Sequence, residues 1–99
     1  MAKEIEGKPE LGLIYYTLME EVAKVRAYGI EKYGDRSNWR EVPTEYYYDA
    51  AIRHLMKAKA AMFDEQTQFN ERDEESGLLH LSHAAADLMF LIERACNKE

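Results

Sequence analysis

The spacing of apolar residues constrains this chain more than any other feature. From Leu13 they recur as Ile14, Leu18, Val22, Val25, Gly29 and Tyr33, in steps of three and four. Such steps place one stripe on a helix that turns about 100° per residue. Gly34 is a natural C′ residue, and Asp35–Arg36–Ser37–Asn38 reads as a loop. Pro43–Thr44–Glu45 then supplies a helix start with an acid in its first turn. A second helix is expected from about Glu45 to Phe63, its stripe Tyr47, Ala51, His54, Ala58 and Ala61, flanked by Tyr48, Ile52, Leu55 and Met62. A third is expected from about Gly77 to Cys96, with Leu78, Leu81, Ala85, Leu88 and Ile92 as its inner face. No segment alternates with the period of a strand. The expected fold is all-α, a small bundle of three main helices.

The 99 residues suit one domain, 1–99. Pro9 closes a polar arm, 1–10, that is expected to be irregular, and residues 64–75 form a polar connection. Seven Tyr, three Phe, one Trp and five Met are more large apolar surface than three short helices hide. The excess is read as an interface of a homo-oligomer, the rival being a monomer with a deep ligand cleft.

Charge and composition exclude several classes. Thirteen basic and 19 acidic side chains give a net charge of -6, with the basic ones scattered, so duplex nucleic acid is not an expected partner. No apolar run approaches the roughly 20 residues of a membrane span. Met1–Glu6 lacks the apolar stretch of a secretory signal. The single cysteine, Cys96, excludes an internal disulfide framework. A cytoplasmic location is expected.

The polar residues of the third helix carry the chemistry. On one continuous helix Ser76, His80, His83 and Asp87 share a narrow arc, joined by Asp73 if the helix starts early. His54, on the inner stripe of the second helix beside Arg53, completes a set of three histidines able to converge. A buried imidazole needs a partner, and Asp87 can supply one. Two chemistries fit: metal ligation by His and Asp at spacings of three and four, and anion binding by Arg53, Lys32 and imidazoles. Ligand binding is the stronger reading, with His54, His80 and His83 as candidate catalytic residues. Asn38, Trp39 and Tyr47 are candidate ligand contacts, Trp39 serving either as a core plug or as a stacking surface. Glu20 and Glu21, an adjacent acid pair, read as a solvated face supported by Lys24.

Four motifs in series carry a resemblance: Gly29-Ile30-Glu31-Lys32-Tyr33-Gly34, Asn38-Trp39, Ala50-Ala51-Ile52-Arg53-His54, and Asp73-Glu74-Glu75-Ser76-Gly77-Leu78-Leu79-His80-Leu81-Ser82-His83-Ala84. Over residues 20–95 the chain resembles the N-terminal domain family of phage dATP/dGTP diphosphohydrolases, loosely allied to the all-α MazG-like pyrophosphohydrolases. The resemblance implies a phage protein expressed in a host cell, a purine deoxynucleotide ligand, and Mg²⁺-dependent release of pyrophosphate and a nucleoside monophosphate. It implies Asp73, Glu74, Glu75 and Asp87 as candidate metal ligands, Lys32 and Arg53 as phosphate contacts, and Trp39 or a nearby Tyr against the base. Lys24 stands where MazG-like enzymes carry a third acid after a Glu pair. The alternative is a non-catalytic oligomer that captures a nucleotide or cyclic-nucleotide signal.

Overall fold

The computed structural model describes residues 7–66 and 70–97. Its three α-helices are α1, Tyr16–Tyr33, α2, Thr44–Ala60, and α3, His80–Cys96, with 3₁₀ turns at Leu11–Leu13, Asn38–Glu41 and Ala61–Phe63. Among the described residues there is no strand, only an isolated antiparallel bridge between Arg72 and Leu79. The fold is the expected all-α bundle of three main helices. Residues 1–6 of the polar arm and 67–69 of the polar connection lie outside the described residues.

The helix ends follow local chemistry. Gly34 adopts φ 75° and returns its N–H to the Ile30 carbonyl, the left-handed termination that glycine permits without a Cβ clash. At the start of α2, Pro43 is the cap residue and no side chain caps the helix. The Thr44 hydroxyl instead accepts a hydrogen bond from Arg94 Nη1 at 2.9 Å. Glu45 supplies the expected acid in the first turn.

α3 starts at His80 rather than Gly77. The backbone before it folds into a hairpin, with Asp73 N–H on the Leu78 carbonyl and His80 N–H on the Glu71 carbonyl. Asp73 Oδ2 accepts the Ser76 N–H, and Ser76 Oγ accepts the Leu78 N–H. Gly77, at φ 74°, gives its N–H to the Asp73 carbonyl. These short Asp and Ser bonds compete with the helical ladder, and the left-handed glycine breaks it.

α3 is the central element. It packs antiparallel to α2, with Arg94 beside Thr44 at one end and His54 beside His80 at the other. α1 joins on another side, where Glu21 accepts the Ser82 hydroxyl at 2.8 Å. Glu21 also pairs with Lys24, so the acid pair of α1 is used structurally, through Glu21 rather than Glu20.

The face expected to be inner on α3 is not the buried one. Leu81, Leu88 and Ile92 are exposed, Ile92 at 61%. The buried positions are His80, Ala84 and Leu91 toward α2, and Ser82 and Ala86 on the α1 side. Tyr47, Ala50, Ala51 and Ala58 complete the core, so the helices approach closely over alanines. On α2, Tyr48, Ile52 and Leu55 are likewise exposed. Helical spacing puts both stripes opposite the residues that face the site, so they share the back of the α2–α3 pair.

Candidate functional site

A cavity of about 450 Å³ opens where the three helices meet the 3₁₀ turn at Trp39 and the 71–79 hairpin. α1 contributes Arg26, Tyr28 and Lys32, α2 contributes Tyr46, Tyr47 and His54, and α3 contributes His83, Asp87 and Phe90. The hairpin adds Asp73 and Glu75.

One end is an imidazole cluster. His54 Nδ1 lies 2.8 Å from His80 Nδ1, and the His54 ring stacks on His83 with centroids 4.7 Å apart and planes 13° from parallel. His83 Nε2 lies 2.7 Å from Ser76 Oγ. Burial, reinforced by the neighbouring imidazoles, pushes His54 down to about 4. Burial also lowers His83, against the pull of Asp73. Both rings are therefore neutral at pH 7. Burial alone would raise Asp73, but its bonds from Ser76 and the nearby imidazoles outweigh it, and the carboxyl lies below its ordinary value.

Asp87 lies farther along α3. Burial pushes it up to about 7, with Arg53 opposing. A carboxyl poised there exchanges a proton near neutral pH, as a general acid or base must.

Beside the imidazole cluster, where the Tyr28 ring meets His83 edge-on with centroids 6.2 Å apart, the lining becomes aromatic and cationic. Lys32 forms an ion pair with Glu75 and lies 5.9 Å from the Tyr28 ring centroid and 5.4 Å from that of Tyr33. The pair raises Lys32 and lowers Glu75. Trp39 stacks on Phe90, and Tyr47 Oη donates to the Trp39 carbonyl at 2.7 Å. Arg94 locks the same turn by donating from Nη2 to the carbonyls of Trp39 at 2.8 Å and Val42 at 2.6 Å.

The structure brings His54, His80, His83 and Asp73 together, and Asp87 lines the same cavity. Lys32, Asn38, Trp39 and Tyr47 also line it. Arg53 is exposed and outside the lining, although its charge reaches Asp87. Glu74 is exposed and outside it as well, and Glu75 is engaged by Lys32. Asp73 and Ser76 arrive from the hairpin rather than from the helix. Sequence reasoning passed over Arg26, Tyr28 and Arg94. The last had only a weak signal, a basic residue in the final turn of a helix.

Magnesium takes hard oxygen ligands in near-octahedral geometry. Among the described residues, the group of three able to hold an ion is His54, Asp73 and His80, two nitrogens to one carboxylate. Asp73, Glu74, Glu75 and Asp87 do not group in that way. Magnesium at phosphate sites is commonly held by one or two carboxylates with waters and substrate phosphates. Of these four, Asp73 and Asp87 line the cavity, whereas Glu75, also in the lining, is engaged by Lys32.

Fold and site define a class: a small helical domain whose three helices and one hairpin enclose a pocket of imidazoles, acids, aromatics and a few cations. The profile of the family described as dATP/dGTP diphosphohydrolase, N-terminal, matches residues 1–99, and the chain belongs to that family. A Salmonella phage PMBT28 protein named dATP/dGTP diphosphohydrolase is 41% identical over 86 residues, covering 87% of this chain and 27% of that protein. The chain thus spans little more than a quarter of that relative's length. No solved structure matches it. No helix among the described residues is long and apolar enough to cross a membrane.

Proposed function

We propose that the cavity binds a purine deoxynucleoside triphosphate and that the chain takes part in its hydrolysis to pyrophosphate and the nucleoside monophosphate. The observation that carries this reading is the composition of one pocket in a chain of this family. Aromatic rings, the cations Lys32 and Arg26, neutral imidazoles and a carboxyl at about 7 all line it. The base lies against Tyr28, Tyr33 or Tyr46, and the phosphates reach Lys32 and Arg26. Water attacks the α-phosphorus and the bond to the β-phosphate oxygen breaks. The proton of that water passes to the Asp87 carboxylate or the His83 imidazole, and pyrophosphate leaves. Positioning and charge, rather than a covalent intermediate, supply the rate.

The back of the α2–α3 pair is covered by a second copy. Each of these helices presents an apolar stripe there, and two antiparallel pairs meeting across a twofold axis form a four-helix bundle. The small alanine core of the single chain is the reason to expect this.

The second reading is capture without turnover, in which the same pocket holds the nucleotide and no water is activated. Both readings are tested by incubating the protein with each of the four dNTPs. Purine nucleotides are expected to raise the melting temperature, since a ligand selective for the folded state stabilises it. Recovered monophosphate and pyrophosphate support hydrolysis, and unchanged nucleotide supports capture. No thermal shift with any nucleotide at millimolar concentration overturns both.

A further inference from the structure

We propose that His54, His80 and Asp73 form a site for one divalent transition-metal ion of the zinc class, held with or without nucleotide. The three residues come from α2, α3 and the hairpin, and one donor atom of each lies within 4.8 Å of the other two. The donors are two imidazoles and a carboxylate, a set that suits zinc, cobalt or nickel and not magnesium or calcium.

The histidine geometry supports this reading. The two Nδ1 atoms face each other at 2.8 Å. Two nitrogens each about 2.0–2.1 Å from one ion stand roughly 2.9 Å apart at a right angle and about 3.3 Å apart at a tetrahedral angle. The observed gap is close to the first of these distances, and a turn of the two rings brings both nitrogens onto one ion.

The surroundings hold the donors in place. His80 is buried at 3% exposure, His83 stacks on the ring of His54, and Asp73 is oriented by the Ser76 N–H. Such supporting contacts fix ligand orientation at metal sites. His54 and Asp73 both line the cavity. The remaining coordination position therefore faces it and takes a water or another oxygen ligand.

The test uses the whole chain without nucleotide, so it stands or falls separately from the nucleotide reading. After dialysis against a chelator, the protein is titrated with Zn²⁺ by calorimetry and with Co²⁺ by visible absorption. One ion per chain is expected, with a d–d band for Co²⁺ and no displacement by millimolar Mg²⁺. His54→Gln and Asp73→Asn each lower the affinity at least about tenfold while circular dichroism stays unchanged. The two variants change partly exposed residues, which avoids the buried His80. Substoichiometric binding, displacement by Mg²⁺, or an affinity unchanged in both folded variants overturns the site.

Discussion

The indole of Trp39 lies almost flat on the ring of Phe90, with centroids 4.8 Å apart and planes inclined by 13°. This contact joins the turn after α1 to the middle of α3 and builds one wall of the cavity. Arg94 clamps the same turn through its carbonyls. The only tryptophan of the chain thus plugs one end of the core.

Trp39→Ala should destabilise the domain by about 2 kcal/mol, less than a fully buried aromatic costs because the indole is part-exposed. Arg94→Met should cost about 2 kcal/mol by losing charge-assisted bonds to backbone carbonyls. Chemical denaturation measures both. A change under about 0.5 kcal/mol in either variant, the size of an ordinary surface substitution, contradicts the clamp.

Asp87 makes stability depend on pH in a definite direction. Its folded value, about 7, lies above the ordinary 3.8, so folding takes up a proton between those limits. The group's favourable contribution is complete below the unfolded value and is lost as pH rises through the folded value. Asp87→Asn removes that dependence. The melting temperature of the variant relative to the parent should therefore rise from pH 5 to pH 8. Parallel profiles across that range contradict an uphill shift at Asp87.

Lys32 and Glu75 make opposite predictions for nucleotide binding. Lys32→Ala should weaken dGTP binding at least about tenfold, as loss of a charge-assisted contact does. Glu75→Gln should tighten it several-fold by releasing the ammonium and removing a like charge. Neither should move the melting temperature much, because the ion pair is exposed. If Glu75→Gln abolishes binding, Glu75 acts as a ligand rather than a competitor.

The exposed apolar face predicts self-association. Parent protein at tens of micromolar should sediment as a dimer or larger, and Leu88→Glu with Ile92→Glu should shift it to monomer or unfold it. A monomeric parent contradicts the second copy.

Much of the fold was legible because three long segments carry helical spacing, and Gly34 ends α1 where a left-handed glycine is expected. The histidines were legible as a set because their positions on α2 and α3 fit one shared core. Three features were not. The start of α3 depends on local Asp73 and Ser76 bonds that hydrophobic periodicity does not register. The Leu81–Leu88–Ile92 stripe reads as core, since spacing alone does not say which apolar face of a helix the rest of the chain packs on. Arg94 was invisible for a third reason: apart from the Thr44 hydroxyl, its acceptors are backbone carbonyls 52 to 55 residues away, which no side-chain pattern records.

The cavity walled by Trp39, Lys32 and His83 is the proposed seat of the nucleotide. An amide and indole N–H chemical-shift titration with dGTP tests it directly, because a single tryptophan gives a single indole signal. Saturable shifts are expected at the Trp39 indole and at the amides of Lys32, Asp73 and His83, with Ile52 and Ile92 on the back face unchanged. Shifts confined to the back face, or none at millimolar dGTP, contradict it.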